Sequence, residues 1–167
     1  MTRRDFFLAF NPDRQQDICK NAEQCYFGEY PTLGQIKAYG ENAPSVWLVA
    51  QLYDLSEYCG CKDKLSKRQY EQCAGVIAQE FSFLKVSEVM LFFHRFKSGR
   101  YGKFYGAVDP LTIGLALRNF LDERSYAIQR KESELRARQR ELWSSSAVSH
   151  AEAVNSEEYQ RALQEIQ

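Results

Sequence analysis

No stretch of this chain approaches the roughly 18 consecutive apolar residues that a membrane-spanning helix requires, so the sequence offers no membrane anchor. An export signal is missing too. Met1-Thr2-Arg3-Arg4-Asp5 is followed by only Phe6-Phe7-Leu8-Ala9-Phe10 before Asn11-Pro12, too short for the apolar segment of a secreted precursor. Net charge is absent: 22 basic residues balance 22 acidic ones. No global field draws the molecule to nucleic acid or to an anionic surface, and any electrostatic recognition must be local. Histidine is scarce, with only His94 and His150. Neither stands in a context that supplies a nucleophile and an orienting acid. Adjacent carboxylates such as Asp122-Glu123 and Glu157-Glu158 read as solvated surface charge, not as a facing acid–base pair.

The cysteines lack a pattern. Cys19, Cys25, Cys59, Cys61 and Cys73 are an odd number in a chain large enough to fold without staples. A structural zinc site usually shows two close pairs, each with about two to four residues inside. Here Cys59-Gly60-Cys61 encloses one residue, Cys19 and Cys25 enclose five, and Cys73 falls on an apolar helical stripe. Reduced thiols without metal are expected, and with them a cytoplasmic location. Gly99, Gly102 and Gly106 have no preceding strand and no following Lys-Ser/Thr pair, so they do not make a nucleotide phosphate loop. The sequence therefore predicts no enzyme, no cofactor and no metal.

What is present is aromatic. Eleven Phe, ten Tyr and two Trp make up 14% of 167 residues, within an ordinary globular balance of 44% hydrophobic and 26% charged residues. A chain of this length buries one sizeable core. The fold class read from its periodicity is all-α, a compact bundle of about five helices with a long, partly exposed C-terminal helix.

Residues 1–31 keep no sustained period and read as an arm anchored by Phe6, Phe7, Phe10, Tyr26 and Phe27, with room for a short helix near Asp13–Ala22. The core domain spans 32–124. Thr32 reads as the N-cap of a short helix through Leu33, Ile36 and Tyr39, ending at Gly40. Pro44 sits at a first helical turn, where its missing N–H costs nothing. Trp47, Leu48, Gln51, Leu52, Leu55 and Tyr58 follow the helical period to Gly60. Ser66 and Gln69 form a capping box for a helix through Tyr70, Cys73, Ile77 and Phe81. Leu84–Lys97 is apolar on more than one side and should be central, stopping near Ser98-Gly99. Asp109-Pro110 caps and opens the last long helix, whose first part should be buried by Leu111, Leu115, Leu117, Phe120 and Leu121.

Beyond Arg124, Leu121, Ile128, Leu135 and Leu142 recur every seven residues. The partner stripe turns charged at Arg124, Lys131 and Arg138, against the two apolar stripes of a coiled coil. Residues 125–143 thus read as an exposed helical extension that rests one thin edge on its domain, docks on a partner, or pairs with a second copy. Ser144-Ser145-Ser146 should break it. Residues 144–167, with four glutamates against one arginine, read as an acidic, mobile tail.

The segment that invites a functional reading is Phe92–Asp109. Arg95, Lys97, Arg100 and Lys103 bring four positive charges with no acid among them. Tyr101, Phe104 and Tyr105 are interleaved, and glycines permit tight backbone. Basic groups could hold phosphates while the rings stack on bases, so these seven residues are the candidate nucleic-acid site, for DNA or RNA. A loop that simply folds back between two helices would also need aromatic anchors and glycine, and a protein-binding loop would look similar.

Glu88-Val89-Met90-Leu91-Phe92-Phe93, Phe96-Lys97-Ser98-Gly99-Arg100-Tyr101-Gly102-Lys103-Phe104-Tyr105-Gly106, Asp109-Pro110 and Phe120-Leu121-Asp122-Glu123-Arg124 resemble a group of short uncharacterised proteins from gut Bacteroidota and their phages or mobile elements. The resemblance covers roughly 33–124. It implies accessory replication, gene-control or phage roles and supplies no catalytic residues. Two expectations follow: a non-enzymatic nucleic-acid-binding accessory protein acting through the basic loop, or an interaction or phage-encoded adaptor module acting through residues 125–143.

Overall fold

The computed structural model describes residues 1–60, 64–102, 104, 108–154 and 161, with the backbone alone over 146–154. The regular elements among the described residues are all helical, with one isolated antiparallel bridge, Thr32 to Lys85. In chain order the elements are α1 (Arg3–Ala9), a 3₁₀ turn (Pro12–Arg14), α2 (Gln15–Ile18), α3 (Ala22–Phe27), a second 3₁₀ turn (Gln35–Tyr39), α4 (Ala43–Cys59), α5 (Lys67–Glu80), α6 (Val86–Lys97) and α7 (Pro110–Val154). Two compact units divide the chain, Met1–Arg124 and Ser125–Gln167.

In the first unit α6 is the central element. Val86, Val89, Met90, Leu91, Phe92, Phe93 and Phe96 are all buried, because α2, α3 and α4 pack around it. Trp47, Leu52 and Ile77 join it in the core, as do Leu117 and Phe120. The helix ends follow their cap chemistry. Asp109 accepts from the backbone N–H groups of Leu111 and Thr112, at 3.0 and 3.2 Å, and Pro110 opens α7. The Ser66 hydroxyl accepts from Gln69 N–H at 3.3 Å while Gln69 Oε1 accepts from Ser66 N–H at 2.8 Å. Ser66→Ala removes half of that box and is expected to lower stability by about 1 kcal/mol, read as a shift of the urea midpoint with unchanged slope.

The first 31 residues are anchored by Phe6, Phe10 and Tyr26, which are buried, whereas Phe27 stays exposed. They fold as α1–α3 against the core. Phe6 lies within 6.4 Å of the Trp47 ring, and the Phe10 carbonyl accepts from the Trp47 indole N–H at 2.7 Å and from Gln51 Nε2 at 3.1 Å.

The start of α7 departs from the expected inward set. Leu111 and Leu115 are 78% and 63% exposed, and Ile113, Ala116, Leu117 and Phe120 face the core instead. That inward stripe has the spacing of one helical face, and the two flanking leucines fall off it. The helix also runs through Ser144–Ser146 to Val154 where a break was expected. Serine is a middling helix former, not a breaker, and the Ser144 hydroxyl donates back to the Glu141 carbonyl at 2.9 Å. The rest of the expected acidic tail, 155–160 and 162–167, lies outside the described residues.

Candidate functional site

The last turn of α6 and the loop after it carry the basic residues singled out by sequence. Ser98 caps the helix, and the Gly99 and Arg100 N–H groups donate to the Phe96 and Arg95 carbonyls at 2.9 and 3.2 Å. Gly99 and Gly102 hold φ of 80° and 104°, a backbone that other residues adopt only with strain. The chain thereby turns back so that Tyr101 stacks on Phe92, centroids 5.5 Å apart and planes 26° off parallel. Phe104 lies nearly flat on Phe96, at 5.0 Å and 13°. Both rings are half-buried and act as anchors into the aromatic core. Lys103 and Tyr105 lie outside the described residues.

The described cations, Arg95, Lys97 and Arg100, have internal partners. Arg95 donates from Nη1 to Tyr26 Oη at 2.6 Å and to Glu123 Oε2 at 2.7 Å, with its guanidinium over the Tyr26 and Phe120 rings. Arg100 Nε donates to Glu123 Oε1 at 2.8 Å, and the Tyr101 hydroxyl donates to Glu123 Oε2 at 3.1 Å. Lys97 Nζ pairs with the Asp54 carboxylate and donates to Gln15 Oε1 at 2.9 Å. Burial opposes the charge on Arg95, but Tyr26 and Glu123 outweigh it and hold the guanidinium above its ordinary range. Burial, reinforced by Glu123, pushes the Tyr101 phenol up. Of the three arginines and lysines described here, only Arg100 is open to solvent, at 52% of its side chain.

Sequence reasoning missed the acceptors. Glu123 was grouped with Asp122 as solvated charge, yet it receives three donors. It lies three residues beyond buried Phe120, on the inward face of α7, and that spacing was the available signal. Asp54 similarly follows buried Gln51 by three residues on α4. Next to Glu123, Arg124 Nε donates at 2.6 Å to Glu88, a fully buried carboxylate whose other oxygen accepts from Lys85 N–H at 2.8 Å.

In the second unit, residues 125–145 present a solvent-facing helix. Arg130–Glu134 and Glu132–Arg136 pair at 3.4 and 3.6 Å across one helical turn, a pattern that supports helices without tertiary cover. Tyr126, Leu135, Leu142 and Trp143 are exposed, Trp143 to 72%. Arg130, Lys131, Arg136, Arg138 and Arg140 outnumber Glu132, Glu134 and Glu141. Among the described residues no group of His, Cys, Asp or Glu is arranged to hold a metal, and no helix is long and apolar enough to cross a membrane.

Fold and surface together define an all-α bundle protein with a long helix partly exposed at its C-terminal end. The chain belongs to a family of unknown function (DUF6633), whose model matches residues 64–167. That match takes in α5, α6, the loop after it and the whole of α7. No curated protein and no solved structure gives a significant match.

Proposed function

We propose that the protein is a non-enzymatic interaction module that docks on a protein partner through the exposed helix of residues 125–143. The observation that carries this reading is the apolar set Tyr126, Leu135, Leu142 and Trp143, all exposed on a charged helix. Large aromatic and aliphatic side chains in solvent are the usual anchors of protein interfaces, tryptophan and tyrosine above all. The family match includes this helix, so it belongs to the unit that the family shares.

The loop supports nucleic-acid binding less well. Arg95 and Lys97 are committed to Glu123, Asp54, Tyr26 and Gln15, and Tyr101 and Phe104 are stacked on core rings. Among the described cations of the loop, what remains for phosphate is Arg100, itself shared with Glu123.

The test is a pair of glutamates in the exposed stripe. Leu135→Glu with Leu142→Glu should leave helix content and the unfolding midpoint unchanged, since both side chains are exposed. Partner recovery by the tagged full chain from cell extract, quantified against wild type, should fall about tenfold or more. Undiminished recovery removes the helix from the interface. Binding of short DNA or RNA that weakens steeply with salt, and is abolished by Arg100→Gln, favours the loop instead.

A further inference from the structure

Between α5 and the first turns of α7 runs an apolar groove of about 610 Å³, floored by Cys73 and Ile77 and edged by Val76, Leu111, Gly114 and Leu115. It lies within the first unit and takes no part in the interaction reading. Leu111, Gly114, Leu115 and Arg118 recur at the spacing of one helical face, beside the inward stripe of Ile113, Ala116, Leu117 and Phe120. Leu111, Leu115 and Val76 are all exposed. Large aliphatic side chains gathered in solvent across two helices mark a surface that binds something. Gly114 is a second and independent observation. Glycine inside a helix destabilises it relative to alanine, and a close neighbour inside the fold would be the ordinary reason to keep it. A Cβ at Gly114 would meet nothing within 4 Å, so no contact within the chain accounts for it. The result is an open notch on α7 directly beside the projecting Leu115.

We propose that the α5–α7 groove is a two-fold interface between two copies of this chain. The same patch carries both halves of the contact, a leucine knob and a glycine notch, which is what pairing of identical surfaces requires. Two α7 helices crossing antiparallel, with the axis between residues 114 and 115, set the Leu115 of each copy into the Gly114 notch of the other. The crossing also brings the Leu111 of each copy level with the Arg118 of the other. Arg118 is an exposed cation at the groove edge, with no ion-pair partner among the described residues. Asp109 stands just beyond Leu111, exposed, and caps α7 through its carboxylate. A carboxylate has acceptor capacity beyond two such bonds, so the Asp109 of each copy can take the Arg118 guanidinium of the other. Knob meets notch and cation meets acid, twice over. A small ligand suits the groove less well, because ligand sites enclose most of what they bind, whereas these leucines project outward. Both walls of the groove fall within the segment matched by the family model.

Sedimentation equilibrium of the full chain, from low to high micromolar concentration, should show the mass rising from 19.4 kDa toward twice that value. Leu115→Glu buries a charge at the centre of the contact and should weaken self-association about tenfold or more. Gly114→Leu is the more telling variant. Its side chain grows into open space in the single chain, and leucine is the better helix former. At concentrations where both proteins are monomeric, its urea midpoint should therefore equal or exceed that of wild type. The filled notch should nevertheless weaken self-association about tenfold or more, a loss that damage to the fold cannot explain. Leu135→Glu with Leu142→Glu lies outside the groove and should associate as wild type does, which separates this interface from the exposed helix of residues 125–143. The proposal is overturned if the chain stays monomeric over the whole range, or if either groove variant, folded, associates as tightly as wild type. It is equally overturned if the Leu135 and Leu142 substitutions abolish the dimer.

Discussion

Trp47→Ala is expected to remove about 4 kcal/mol of stability. The indole is 1% exposed and forms the floor on which the N-terminal helices rest, with Phe6 against its ring. Truncation opens a cavity that α4, held from both sides by α5 and α6, cannot collapse to fill. The loss should be local in its structural effect. The Phe10 carbonyl would keep its bond from Gln51, so no buried acceptor is orphaned and the cost is one of packing. Trp47→Phe keeps most of the volume and should cost about half as much. Urea titration measures both, and limited proteolysis shows where the damage lies: cleavage within residues 1–20 should accelerate in Trp47→Ala before the rest of the first unit opens. A loss below about 1 kcal/mol would mean that the N-terminal helices are not docked on this ring.

That docking was only partly legible. Phe6, Phe10 and Tyr26 could be read as anchors because large rings in a polar stretch need a buried destination. The helices carrying them could not, since α1, α2 and α3 span seven, four and six residues. Helices that short are unstable alone and exist by tertiary contact. The elements from Pro44 onward carry their own instructions: proline at a first turn, the Ser66–Gln69 box, Asp109 before Pro110. Local rules of this kind act within one turn, which is why sequence placed these starts well. Burial on α7 was less legible because hydrophobicity drew Leu111 and Leu115 inward, while the face is set by Ile113, Ala116, Leu117 and Phe120.

The basic loop shows the same division between near and far. Its cations and rings are contiguous and were read at once. Their acceptors come from distant positions, Glu123 on α7, Asp54 on α4 and Gln15 on α2. No local rule links Lys97 to a residue 82 positions earlier. A cluster of one sign in a sequence is therefore weak evidence for an external anion until the fold shows which carboxylates face it. The exposed helix poses the opposite case. Its heptad leucines, Leu135 and Leu142, are legible from the chain, and their exposure shows that no described element covers them.

Glu123→Ala should be the most damaging single change at the loop, with an expected loss of about 3 kcal/mol. Glu123 gathers Arg95, Arg100 and the Tyr101 hydroxyl on one carboxylate. Removing it leaves the Arg95 guanidinium, 16% exposed, with Tyr26 as its remaining hydrogen-bond acceptor. A buried charge stripped of its counter-ion is costly. Arg100→Gln should cost less than about 1 kcal/mol, because its side chain is half in water and its pair with Glu123 is screened. Glu123→Gln should fall between the two, since the amide oxygen still accepts one or two donors but returns no charge. The order Glu123→Ala, then Glu123→Gln, then Arg100→Gln is the signature of a network that serves the fold. The same variants bear on nucleic acid. If the loop binds phosphates, Glu123 competes with them for Arg95 and Arg100, and Glu123→Gln should tighten binding to short DNA at low salt and steepen its decline with added salt. If the cations serve the fold, stability should fall in the stated order and DNA binding should remain undetectable in all three variants. Near-wild-type stability in Glu123→Ala, joined to a gain in DNA affinity, would reverse the assignment and return the binding surface to the loop.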